Sequence, residues 1–598
     1  MFRFTIRNKV PATMNYDLNK LSEEQQKTST IKALGKLLTL ISHERGNLAL
    51  AIGAITLNTT VNLVGPYLIG HAIDRYVVTK QFHGLLVFGG ILLAMYLLGL
   101  VTAYQQTKLM GGVGQRLLFT LRNAIFNKLQ QLPVAFFNQN KAGDLISRVN
   151  NDTDKLNQFF SQSLMQFIGS IFTMLGAGIF LLVINIKLGA AALAPAMVIL
   201  VFTLLLSPWV KAANAKNLKS TGALSAEIQE SLNNFKVVIA FNRRDYFRQR
   251  FQIANLENYR TAIRAGLANN IFLPTYSFFS NVAQLVVLTY GIYLISIGEF
   301  SIGLLVSYIA YAVNFYNPLR QLAALWTSFQ VAMAGWDRVS QILALETDLV
   351  PVAATVPETD AALLEFRDVR FGYDSREILH QVNFKLERGK IYALIGPTGG
   401  GKTTTASLIA RLYDPREGSV LLDGRDIRTY TPEERTQKIG FILQEPFLFT
   451  GTIRDNILYG NERLEEYSNE KLEEVIRGAN LGEILALFED GLETKVSATS
   501  DSTSLGQKQL IAFMRAVLRS PELLILDEAT ANIDTVTEKL LGNILKQLPE
   551  STTQVIIAHR LNTIESADEI FFVNSGEVNR AGSLDDAMAM LLKGNRAS

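Results

Sequence analysis

The run Gly396-Pro397-Thr398-Gly399-Gly400-Gly401-Lys402-Thr403-Thr404 places four glycines, a lysine and three threonines within nine residues. Glycines let the backbone curl so that successive N–H groups point at phosphate oxygens. Lys402 offers a point charge to the terminal phosphates, and the Thr403 hydroxyl is a ligand for Mg²⁺. The pattern implies that Gly396, Thr398, Gly399, Gly400, Gly401, Lys402, Thr403 and Thr404 bind a nucleoside triphosphate. An acidic pair, Asp527-Glu528, closes the apolar run 523–526 about 125 residues later. At the C-terminal end of a strand, where ligands collect in α/β sheets, Asp527 would hold Mg²⁺ through water. Glu528 would orient or deprotonate the attacking water.

These residues need a frame. The apolar run 391–395 reads as a buried strand before the loop, and 405–412 has helical spacing after it, the context a phosphate loop requires. Further strands are predicted at 366–371, 382–386, 420–422, 439–443, 555–558 and 570–573. Alternation with helices predicts an α/β domain over 363–598. Pro351, Pro357 and several acids mark 346–362 as a linker.

Upstream the solvent changes. With 48% hydrophobic and 19% charged residues over 598 positions, part of the chain is expected in lipid. Charge-free stretches at 46–70, 84–107, 156–186, 188–210, 265–298 and 300–319 are each long enough to cross a bilayer as a helix. They predict a six-span transmembrane domain over 30–345, preceded by a polar, loosely ordered tail at 1–29. Residues 30–44, with Ile31, Leu34, Leu37, Leu38 and Ile41 on one face, suit a helix at the membrane surface. The short connections carry three Lys or Arg (Arg75, Lys80, Lys187), whereas 108–155 and 211–264 carry seven and ten. That bias places the long connections and both termini in the cytoplasm. Segments 115–132 and 223–251 keep helical spacing, so the long connections should be helices running out and back, with tips at 136–149 and 230–241.

The spans contain amides such as Asn58, Asn62, Gln166, Asn281 and Gln284 but no acid or base, which speaks against an ion-driven carrier. Their aromatics, among them Tyr276, Tyr308, Tyr311 and Phe315, either line an apolar cavity or pack helices, and packing is the expectation. The absence of cysteine excludes disulfides and thiolate chemistry. A net charge of +3 gives no ground for a nucleic-acid partner.

Taken together, residues 363–598 resemble the ATP-binding cassette, and six spans plus a cassette resemble a half-transporter of the exporter kind over 30–593. The resemblance implies an ATP hydrolase coupled to transport, using ATP and Mg²⁺. It puts Tyr373 on the adenine and Gln444 beside Mg²⁺ and the membrane domain. It makes His559 the γ-phosphate histidine and Asp534 part of the loop where two cassettes meet. The tips at 136–149 and 230–241 resemble the family's coupling helices. The signature Leu-Ser-Gly-Gly-Gln falls on Thr503-Ser504-Leu505-Gly506-Gln507, so Ser504, Gly506 and Gln507 would act in trans on nucleotide held by a partner. The helix after it is expected at 508–518.

Two departures stand out. Leu505 replaces a glycine, and Ala498 stands where similar exporters carry an acid. This resembles the subunit of heterodimeric bacterial multidrug exporters that keeps the catalytic glutamate. The implied partner is a second, heterologous half-transporter, with a homodimer less expected. The implied cargo is a hydrophobic small molecule or lipid, moved across the bacterial cytoplasmic membrane. The alternative is an ATP-dependent membrane sensor or gate that moves no solute.

Overall fold

The computed structural model describes residues 16–18, 44–347, 349, 352, 362–373, 376–497, 503–527, 535–557, 566–582, 585–587 and 589–590. The expected surface helix before residue 44, most of the tail and linker, Ala498, Glu528, Asp534 and His559 lie outside them. The chain divides into two compact units, one of residues 22–128 and 143–343, the other of 1–21, 129–142 and 344–598.

In chain order the long helical segment comprises α1 (Arg45–Ala72), α2 (Phe82–Gln130), α3 (Val134–Gln139) and a helical path from Ala142 that ends in α4 (Leu164–Ile184). It continues through α5 (Ile186–Asn233), α6 (Phe235–Ala240), α7 (Arg244–Asn270), α8 (Phe272–Ser296) and α9 (Ile302–Ala344). Five helical paths, those of α1, α2, α4, α5 and α7–α8, are long and apolar enough to cross a membrane. α9 carries the remaining charge-free stretch, 300–319. The 49 residues of α2 extend about 70 Å at 1.5 Å per residue, more than twice a hydrocarbon core of about 30 Å. The surplus leaves the bilayer as continuous helix, which is how the long connections are built.

The second long connection runs out along α5 to Asn233, turns through the short helix α6 within the expected tip 230–241, and returns along α7 after Asn242 at φ +51°. The aromatics pack, as expected. Tyr311 donates its hydroxyl to the Leu63 carbonyl at 2.6 Å and Tyr316 to Ala192 at 2.8 Å, so each buries its ring with the polar tip satisfied.

The second unit is built on two sheets. An antiparallel sheet has the order β2 (Leu379–Leu386), β1 (Leu364–Phe371), β4 (Glu417–Leu422), β5 (Arg425–Asp426). A six-stranded sheet has the order β12 (Glu577–Ala581), β11 (Glu569–Asn574), β3 (Ile391–Ile395), β10 (Thr553–Ile557), β9 (Leu523–Asp527), β6 (Ile439–Ile442). A two-residue pair, β7 (Gly451–Thr452) and β8 (Lys495–Val496), stands apart. All neighbours in the larger sheet are parallel except β11 and β12. Its central strands are apolar on both faces because each face covers a different core: in β9, Leu524 and Leu526 enter one, Leu523 and Ile525 the other.

This unit also takes in residues 129–142. Against them the expected loose tail is pinned at 16–18, where Tyr16 and Leu18 are fully buried. Tyr16 N donates to Gln139 Oε1 at 2.9 Å and Asn140 Nδ2 donates to the Tyr16 carbonyl at 2.8 Å. An apolar pair within a polar stretch is the signal that composition concealed.

Candidate functional site

The phosphate-binding loop leaves β3 and enters α10 (Lys402–Ile409), three residues earlier than helical spacing suggested. Gly401, at φ +116°, caps that helix, a conformation closed to most side chains. Gly396, at φ +147°, sits where a Cβ would stand 2.0 Å from the Val573 carbonyl oxygen. The loop is therefore wedged against β11 with no room for a side chain.

Lys402 is buried, and its Nζ donates to the carbonyls of Gly396 at 2.9 Å and Pro397 at 3.0 Å. The ammonium is thus held over the loop. The Thr403 hydroxyl donates to Asp527 Oδ1 at 3.4 Å. Asp527 is 3% exposed, so this carboxylate faces the loop rather than solvent. Two oxygen ligands, one of them a carboxylate, suit Mg²⁺, which usually takes one or two protein ligands and completes its shell with water and phosphate oxygens.

Tyr373 meets the loop's helix at Thr404. Its hydroxyl lies 3.2 Å from Thr404 Oγ1, and its ring meets Phe371 and Tyr413 edge to face at 5.1 and 5.0 Å. Held by its edges and hydroxyl, the ring is 41% exposed, a surface for a base to stack on. Gln444, just past β6, is exposed.

Two residues that sequence reasoning passed over belong here. Tyr413 joins the aromatic group, and Asn138 of α3 donates its Nδ2 hydrogen to the Tyr413 hydroxyl at 2.8 Å. A cavity of about 360 Å³ lies between them, lined by Val134, Asn138, Tyr373, Thr403, Ser407 and Tyr413. No local pattern marks a contact across 275 residues.

The signature residues open α11 (Leu505–Val517) rather than precede it. Ser504 Oγ accepts from the Gln507 amide at 3.1 Å, while Gln507 Oε1 accepts from the Ser504 amide at 2.9 Å. This reciprocal capping box explains why the helix starts three residues before the expected position. Leu505, 43% exposed, is the first helical residue, so its side chain stands at the helix N-terminus where Gly506 follows.

The family model of the ABC transporter transmembrane region matches residues 48–319, and that of the ABC transporter matches 379–531. The chain is 33% identical to the uncharacterized ABC transporter ATP-binding protein YfiC of Bacillus subtilis over 97% of its own length and 95% of the relative's. It is 31% identical to a fatty acid ABC transporter ATP-binding/permease protein of Mycobacterium bovis, over 83% of this chain and 78% of the other. It is 29% identical to an ATP-dependent lipid A-core flippase of Syntrophus aciditrophicus, over 83% and 82%. A helical membrane region fused to a nucleotide-binding α/β unit, with these relatives along nearly its whole length, identifies the chain as a membrane protein of the ABC transporter family, an ATP-hydrolysing exporter.

Proposed function

We propose that the chain exports or flips hydrophobic or amphipathic compounds, such as drugs or lipids, across a bacterial cytoplasmic membrane as one half of a heterodimer. The observation that carries the reading is the contrast between two parts of one cassette. Lys402, Thr403 and Asp527 are brought together in the arrangement that phosphate and Mg²⁺ require. Leu505 occupies the N-terminus of α11, where a phosphate of the partner's nucleotide would need bare backbone. The chain would thus complete one competent site with a partner's signature and lend a faulty signature to the other.

In the competent site Tyr373 stacks the base, Lys402 neutralises terminal phosphate charge, and Glu528 activates water with His559 on the γ-phosphate. Thr403 and Gln444, with Asp527 through water, would hold Mg²⁺, which when bound supplies positive charge to the phosphate oxygens. Ser504, Gly506, Gln507 and Asp534 face the partner. A dimer also accounts for α6 and the residue after it, where Phe235, Val237, Ile239 and Phe241 are exposed and only Val238 is buried. Such an apolar tip needs a covering surface. The names of two of the three relatives above, a fatty acid transporter and a lipid A-core flippase, make amphipathic lipids a natural class to test. Domain limits of 30–345 and 363–598, and cytoplasmic termini, complete the proposal.

The test is ATP turnover by the purified chain alone and together with any half-transporter encoded beside it. Activity only with the partner supports the heterodimer. A chain that alone hydrolyses ATP at an ordinary exporter rate has a working signature despite Leu505, and the homodimer replaces this reading.

A further inference from the structure

The helical unit holds a cavity of about 310 Å³ between α1, α2, α4 and α9, and among the described residues no charged or aromatic side chain lines it. Its polar wall is mostly amides, among them Asn58 and Asn62 from α1, Gln106 from α2, Gln166 from α4, and Asn314 and Asn317 from α9, with a few hydroxyls between them. The spacings i, i+4 in α1 and i, i+3 in α9 set each pair on one helix face, so the stripes are aimed rather than scattered.

Two of the amides form a preset chain. Asn58 donates to the Gly99 carbonyl at 2.8 Å, and Asn62 donates to Asn58 Oδ1 at 3.0 Å. That bond uses one Asn62 N–H and leaves its carbonyl and second N–H for a ligand. Gln106, Gln166, Asn314 and Asn317 have no hydrogen-bond partner among the described residues. In hydrocarbon an unpartnered amide costs free energy, so this wall is built to meet water or a ligand's polar groups.

Each amide offers both a donor and an acceptor. A hydroxyl or amide on a ligand finds partners here, whereas an ammonium, carboxylate or phosphate would leave water and meet no opposite charge. We propose that the transported molecule is an amphiphile with an uncharged, hydrogen-bond-rich head, a glycoside or polyol, whose head occupies this amide-lined cavity. The inference rests on the exporter reading above and narrows its substrate class.

The experiment uses proteoliposomes of the chain, with its partner half-transporter where ATP turnover requires one. ATP-dependent movement of three fluorescent lipids with matched acyl chains is compared: glucosylceramide, phosphatidylserine and a cationic alkylammonium lipid. Glucosylceramide is expected to move at least about 10-fold faster than either charged lipid. Gln166→Glu, which keeps the side-chain shape and adds an anion, is expected to slow glucosylceramide about 10-fold and to speed the cationic lipid. Asn317→Asp should act in the same direction, and ATP-induced thermal shifts report whether both variants fold. A charged lipid that moves as fast as glucosylceramide in the wild type overturns the substrate class but leaves the exporter. So does folded Gln166→Glu protein with unchanged selectivity. ATP hydrolysis with no movement of these lipids or of a panel of hydrophobic dyes overturns the exporter reading itself, and this inference with it.

Discussion

Asn138 of the helical tip and Tyr413 of the cassette share a hydrogen bond of 2.8 Å, and Tyr413 in turn packs its ring against Tyr373. Residue 138 thereby reaches Tyr373, the ring proposed to stack the base, through one intermediate ring. A hydrogen bond of this kind contributes about 1 kcal/mol net, so Asn138→Ala should raise the KM for ATP up to about five-fold with little change in kcat. Tyr413→Phe should do the same, and the double variant should be no worse than either single one. Additive effects in steady-state ATPase kinetics would show that the bond carries nothing.

Gly396→Ala should cripple the phosphate loop through its backbone. At φ +147° with Val573 O 2.0 Å from the added methyl, the substitution must move β11 or the loop. We expect a loss of about 3 kcal/mol in the stability of the cassette unit and loss of ATP protection in thermal unfolding. Wild-type melting with ATP would refute the wedge.

Glu528→Gln should leave ATP binding intact while lowering turnover about 100-fold or more, because an amide neither accepts a proton nor orients water as a carboxylate does. Filter-binding of ATP beside phosphate release separates the two effects. Unchanged turnover would remove Glu528 from the role of base.

Acid should weaken an ion cluster at the sheet edge. Glu522 accepts from Lys438 at 2.5 Å and from Arg388 at 2.8 Å. Burial pushes its carboxyl up, but those two cations outweigh burial and hold it below the ordinary carboxylate range. A depressed pKa means that its contribution to stability is complete above the unfolded value of about 4.3 and is lost as pH falls below it. Glu522→Gln should therefore cost up to about 1 kcal/mol at pH 7, a small effect because the pair is partly exposed, and progressively less as pH falls through the lowered folded value. A cost in chemical unfolding that does not shrink with acid would assign the loss to packing instead.

What the chain's sequence made legible follows the range over which each signal acts. The spans could be read because twenty consecutive apolar residues have few alternatives to a membrane helix. The strands carrying the loop and Asp527 could be read because burial on both faces demands unbroken apolar runs. β12 escaped notice since it is a polar edge strand joined to β11 through Ser575 and Gly576, both at positive φ, and only a turn signal marks it. The start of α11 was legible in principle, since Ser504 and Gln507 are spaced as a capping box.

Local order along the chain is enough to define the phosphate loop, contiguous from Gly396 to Thr404, the acids Asp527 and Glu528 after the apolar run 523–526, and the division into an apolar and an α/β half. These rest on interactions between residues close in the chain. Only the tertiary structure decided that Thr403 and Asp527, 124 residues apart, stand 3.4 Å from each other, because β10 must first pair between β3 and β9. It also decided that Asn138 meets Tyr413 and that amides from four helices converge on one cavity. Those neighbours are chosen by which faces bury together, and no spacing along the chain records that choice.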